Sequence, residues 1–210
     1  MRVVITLLAV CACAAAKDYV ETVRQNSYAS VEDMVVQQIE KELLASYIYQ
    51  AYASYFQRAD VSLPGFKKFF SDASLEERDH AQQLIDYVNK RGWHAQFDKL
   101  DICGFVATGT VNDECESDSS RESWQDGLMA FEDALVIERF VNHRLLELHR
   151  EADRRKDAHL THILEHDFLE EQVHAIYDLG NHVTRLRSFA AGKGHNYKLG
   201  EYLFDQNLSK

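Results

Sequence analysis

Proline is almost absent from this chain, with one in 210 residues, and glycine is sparse at nine. An all-β sandwich or barrel turns about every ten residues and needs such residues to do so, so that class is excluded. Basic residues are also scarce: 23 Lys and Arg stand against 34 Asp and Glu, a formal net charge of −11. Such a chain has no electrostatic reason to bind nucleic acid or an anionic membrane, and good reason to attract cations. Beyond residue 16 there is no apolar run long enough to span a bilayer, no internal repeat and no low-complexity tract. What remains is an ordinary globular composition, 46% hydrophobic and 27% charged, at the length of one domain.

The N-terminus stands apart. Met1-Arg2 is a minimal positive start, Val3 to Ala16 is apolar, and Ala14-Ala15-Ala16 offers small residues for cleavage before Lys17. Residues 1–16 are therefore expected to be a secretory signal peptide, and residues 17–210 the folded domain. Cleavage removes Arg2, Cys11 and Cys13, leaving a net charge of −12 and two cysteines. In an oxidising compartment Cys103 and Cys115 are expected to pair, the alternatives being a bridge between subunits or free thiols.

Four segments carry helical patterning, at 27–56, 63–91, 122–150 and 157–188, and a shorter one lies near 196–206. Each long segment is about 45 Å of helix at 1.5 Å per residue. The first two, and the third and fourth, are joined by short links, while residues 92–121 form a crossover with both cysteines. The expectation is an all-α four-helix bundle with one long crossover and a short fifth helix.

The chemistry emerges on the helical wheel. Val31, Val35, Ile39, Tyr49, Ala53 and Phe56 form a stripe around Glu42; Phe66, Phe70, Ala73, Leu84 and Val88 surround Glu77, with His80 on the flank. Phe131, Ala134, Leu135, Val141 and Leu145 surround Glu138, and Phe168, Ile176, Leu179, Val183 and Leu186 surround Gln172. All four polar centres lie near their helix midpoints, which meet at one level of a bundle. Desolvated carboxylates cost several kcal/mol each unless compensated, and no Lys or Arg lies on these stripes. A cation, or protonation, must compensate them. Oxygen-rich ligation with one imidazole suits iron or manganese better than structural zinc. Glu77-x-x-His80 has the i, i+3 spacing of carboxylate di-metal bundles. Glu171-x-x-His174 has it too, but the wheel turns His174 about 160° from the stripe. An asymmetric pair of sites is expected, one of Glu42, Glu77 and His80, and a weaker one of Glu77, Glu138 and Gln172.

These residues lie in stretches that resemble the ferritin family in its heavy, ferroxidase-bearing form, with a leader as in secreted invertebrate members. The stretches are Glu42-Leu-Leu-Ala-Ser-Tyr-Ile-Tyr49, Glu76-Glu77-Arg-Asp-His80, Leu145-Leu-Glu-Leu-His149, Glu171-Gln172-Val-His-Ala-Ile176, Leu179-Gly-Asn-His-Val-Thr-Arg-Leu186 and Glu201-Tyr-Leu-Phe-Asp205. The resemblance implies a di-iron ferroxidase centre of Glu42, Glu77, His80, Glu138 and Gln172 with Tyr49 beside it. It also implies a hollow cage of twenty-four subunits, homomeric or mixed with a light-type subunit. Fe(II) and dioxygen would be its substrates and a ferric mineral its store. Glu76 and Asp79 match positions that nucleate mineral, although Gln82 stands where a third acid is usual. His162 and Glu165 match a three-fold channel for iron, with His162 in place of an aspartate. Asn207-Leu-Ser209 is a glycosylation sequon, expected to stay unmodified because the family's last helix points inward. The competing readings are an inert cage subunit served by a catalytic partner, another di-metal carboxylate oxidase, and a metal-free helical bundle. The first two lack an account of the intact ligand set with a single in-phase Glu-x-x-His, and the third lacks one for three buried glutamates.

Overall fold

A computed structural model describes residues 23–95, 126–191 and 197–209. The expected signal peptide, the Cys103–Cys115 pair and most of the crossover lie outside the described residues. The chain forms α1 (Ala29–Gln57), α2 (Pro64–Lys90) and α3 (Gly127–Arg154). The fourth helix, α4, runs as Ala158–Ile163, a π-helical turn Leu164–Leu169, and Glu170–Ala190; α5 is Tyr197–Leu208. Among the described residues there is no strand. No helix is long and apolar enough to cross a membrane.

The element boundaries follow local chemistry. Pro64 opens α2, where its fixed φ and missing N–H cost nothing. Asp126 caps α3 by accepting from Met129 N at 2.9 Å, and Asp157 caps α4 by accepting from Leu160 N at 3.2 Å. The third helix ends at Arg154, four residues beyond the expected 150. Glu151 binds both Arg154 and Arg155 there and accepts from Ser30, which holds the last turn together before Lys156 reverses the chain at φ 58°.

Pairing across the bundle fixes its directions. Ser30 meets Glu151, Tyr49 meets Glu138 and Tyr52 meets Asp133, so α1 and α3 run antiparallel. His80 meets Glu171 and Phe69 meets His182, so α2 and α4 do the same. The core between them is apolar and continuous, with Tyr52, Phe56, Phe66, Phe70 and Phe131 almost fully buried. Ala73, Leu135 and Ile176, expected on the buried stripes, are only partly buried, because each sits at the edge of its helix's packed face.

The widened turn in α4 is what aligns that helix. Leu160, Leu164, Phe168 and Gln172 are all buried at intervals of four. In a uniform α-helix residues twelve apart are turned by about 120°. The π-helical turn, with more residues per revolution, absorbs that drift and keeps Gln172 facing inward.

Candidate metal centre

Each long helix delivers its polar side chain to one buried level. Glu42 comes from α1, Glu77 and His80 from α2, Glu138 from α3 and Gln172 from α4, and none is more than 6% exposed. Glu42, Glu77 and His80 each turn a ligand atom to a common point, all within 4.8 Å of one another. Glu138 and Gln172 lie beside them as a joined pair, Gln172 Nε2 donating to Glu138 Oε2 at 2.8 Å. The Tyr49 hydroxyl donates to the other oxygen of Glu138.

The polar atoms are not all satisfied. Glu42 Oε2, Glu77 Oε2 and Gln172 Oε1 are buried without a hydrogen-bonding partner among the described residues. Burial, then the neighbouring Glu77 charge, pushes the Glu42 carboxyl well above the usual range. Burial, then the Glu138 charge, does the same to Glu77. Glu138 is raised by burial too, against the lowering effect of the Tyr49 and Gln172 bonds. Burial and the Glu138 charge hold the Tyr49 phenol firmly protonated. Among the described residues no lysine or arginine is paired with these converging oxygens, so they fit either shared protons or a divalent or trivalent cation, and three carboxylates with one imidazole and an amide oxygen fit iron.

Two residues lie beside the candidate ligands in roles that sequence reasoning missed: Gln38, and Glu171, which it weighed only as the start of Glu171-x-x-His174. Gln38 Nε2 donates to Glu42 Oε1 at 2.8 Å from one turn earlier on α1, a spacing that the sequence did display. Glu171 Oε2 lies 2.9 Å from His80 Nε2, which leaves Nδ1 turned towards Glu77 Oε2 at 3.9 Å. Metal-bound histidines are typically held in this way by a carboxylate on their second nitrogen. Burial alone would lower His80; Glu171 and the other nearby carboxylates outweigh it and raise the imidazole. A cavity of about 280 Å³ connects the centre with the surface, lined by Tyr49, Glu77 and Glu138 inside and by Glu76, Glu171 and His174 towards its mouth.

The other sequence-derived residues lie elsewhere. Glu76 is exposed at the cavity mouth, and Asp79 is exposed on the next turn of α2. His162 and Glu165 are exposed on α4 and do not join the buried group. Glu165 Oε1 instead meets His149 Nε2 of α3 at 2.7 Å. His174 is exposed, as its wheel position required.

A family model described as "Ferritin-like domain" matches residues 32–189, most of the chain. The chain belongs to the ferritin family. It is 57% identical to yolk ferritin of Lymnaea stagnalis, with 92% of each chain covered. It is 41% identical to soma ferritin of the same snail, over 89% of this chain and 95% of that one. The middle subunit ferritin of Salmo salar is 40% identical, over 88% and 94% respectively. Ferritins store iron in multi-subunit cages, and the bundle with its short fifth helix is the ferritin subunit fold.

Proposed function

We propose that this ferritin subunit is itself a ferroxidase, with Glu42, Tyr49, Glu77, His80, Glu138 and Gln172 as its working residues. The observation that carries the reading is the meeting of four helices' polar side chains at one buried level with three orphaned oxygens. Fe(II) is the substrate. Glu42, Glu77 and His80 bind one ion, and Glu77, Glu138 and Gln172 bind a second more loosely. Two Fe(II) give two electrons to one dioxygen, which takes up two protons and leaves as hydrogen peroxide. The ferric ions, as oxyhydroxide, move on to a stored mineral. Carboxylates favour Fe(III) over Fe(II) because the higher charge gains more from each oxygen ligand, so the site drives the oxidation it hosts. Tyr49, held protonated, fixes the orientation of Glu138 by donating to it.

Several further roles belong to this reading. Glu76 and Asp79 pass ferric ions to growing mineral, and His162 with Glu165 admits Fe(II) from outside. The leader pattern of residues 1–16 supports export through the secretory pathway, with Cys103 and Cys115 paired there. The subunit builds a twenty-four-subunit cage, either alone or with a light-type partner.

The deciding measurement is aerobic oxidation at two Fe(II) per subunit, followed by absorbance of the ferric product, for the wild type and a Glu77→Ala, His80→Ala variant. Fast oxidation lost in the variant is the expected result. Equal slow rates in both would make this an inert shell subunit.

A further inference from the structure

Tyr52 is a buried phenol that the proposed centre does not use. It lies on α1 one turn beyond Tyr49, 1% exposed, and its hydroxyl donates to a carboxylate oxygen of Asp133 on α3. Asp133 is only partly buried and belongs to the same helix as Glu138. Phe70 of α2 packs on both tyrosines, its ring centre 5.9 Å from that of Tyr49 and 5.0 Å from that of Tyr52. Ring contacts therefore run without a break from the Glu138 side of the metal centre to Tyr52.

A phenol gives up an electron most easily when its proton can leave in the same step. Loss of the electron alone would leave a cation in an apolar core, which is costly. A carboxylate that already accepts the O–H bond takes the proton instead and leaves a neutral phenoxyl radical. Tyr52 with Asp133 has that arrangement. Tyr49 serves less well, because its proton would go to Glu138, and a protonated Glu138 is a poorer ligand for iron. The buried Tyr87 hydroxyl accepts from the Arg91 guanidinium, which takes up no proton.

We infer that Tyr52, with Asp133 as its proton acceptor, is a redox partner of the metal centre that supplies one electron when a single Fe(II) is bound. The inference rests on the ferroxidase reading and deepens it. The second ion is the loosely held one, so a subunit with one Fe(II) lacks one of the two electrons that reduce dioxygen to hydrogen peroxide. Fe(II) gives the first and becomes Fe(III). Tyr52 gives the other as its O–H bond breaks, the electron crossing the ring contacts and the proton passing to Asp133. Dioxygen takes both electrons with two protons from water and leaves as hydrogen peroxide. The next Fe(II) to arrive returns an electron to the phenoxyl radical, which recovers its proton from Asp133.

The test is freeze-quench electron paramagnetic resonance of the assembled protein mixed with dioxygen at one Fe(II) per subunit, with absorbance of the ferric product followed in parallel. The wild type should show a phenoxyl signal that narrows when the protein is made with ring-deuterated tyrosine. Tyr52→Phe, which keeps the ring packing, should lose the signal, and Asp133→Asn should form it at least about tenfold more slowly. The signal per iron oxidised should also fall when two Fe(II) per subunit are supplied. A signal unchanged in Tyr52→Phe would put the radical on another tyrosine and overturn the inference, as would ferric product formed by the wild type without a phenoxyl signal. No ferric product in the wild type would bring down the ferroxidase reading itself, and this inference with it.

Discussion

Glu42, Glu77 and Glu138 share a volume that water scarcely reaches, and without a cation each is held against its preference for charge. Burial raises all three above their ordinary value of 4.5, with the Glu77 charge adding to it at Glu42 and the Glu138 charge at Glu77. The sign of the consequence is fixed by linkage. A carboxyl with a raised folded-state value binds its proton more tightly in the folded chain, so its contribution to stability is complete below pH 4.5 and is lost as pH rises through that raised value. Carboxylates held low, such as Glu151 at about 2, act in the opposite direction. The clean readout is therefore a difference between variants. The metal-free Glu42→Gln protein should gain melting temperature over the wild type as pH climbs above 4.5, and the gain should shrink when a divalent cation is added. Calorimetry across that range checks it. A difference that stays flat with pH would mean that the carboxyl is satisfied by something other than a proton or a cation.

At the scale of elements, the short fifth helix does more than close one end of the bundle. Among the described residues neither carboxylate that it buries is paired with a lysine or arginine of another helix, Glu201 pairing only with Lys198 of α5 itself. Asp205 Oδ1 accepts from Gly65 N at 2.7 Å and Phe66 N at 3.0 Å, and Glu201 Oε1 accepts from Gly127 N at 2.7 Å. They cap the N-termini of α2 and α3, where unpaired N–H groups and the helix dipole favour an anion. The helices approach closely enough to require glycine: a Cβ at Gly65 would lie 2.0 Å from the Asp205 carbonyl oxygen, and one at Gly127 would lie 2.2 Å from the Phe66 ring. Asp205→Ala should cost about 2 kcal/mol, because it orphans two buried donors and removes a cap. Calorimetry would show the loss, and proteolysis should release residues 197–209 sooner than in the wild type. If neither changes, the cap contributes little and apolar packing around Phe204 holds α5.

None of that capping was legible in the chain, because Leu63 and Gly65 give no local hint that a side chain some 140 residues away completes the helix start. The long helices were legible, since their apolar spacing is sustained and the links are short. The π-helical turn was not: burial at 160, 164, 168 and 172 reads on a wheel as a drifting stripe, and only packing reveals that the backbone widened to keep it straight. Within the centre, charge among apolar residues exposed Glu42, Glu77 and Glu138 to view. Glu171 was in view only as the start of Glu171-x-x-His174, set aside because His174 turns away; its contact with His80 was not legible, because it lies at the edge of the stripe and reaches across to another helix. Its partner His80 is what makes it informative.

For the molecule as a whole, the excess of acid over base sets a field as well as a site. The formal charge is −11, and −12 if residues 1–16 are removed. Every subunit therefore draws cations towards a surface whose cavity mouth is itself lined by Glu76 and Glu171. Attraction of this kind acts on encounter, not on chemistry once iron is bound. Its range is about 30 Å at 0.01 M ionic strength and about 3 Å at 1 M. On the proposed ferroxidase reading, raising an inert salt between those limits should lower kcat/KM for Fe(II) oxidation several-fold, while kcat at saturating Fe(II) holds steady. Stopped-flow traces at sub-saturating and saturating iron separate the two. A fall in kcat instead would mean that salt reaches the ligands themselves, and a flat kcat/KM would mean that capture depends only on carboxylates close to the path. The experiment thus weighs the acidic surface against the few residues at the mouth.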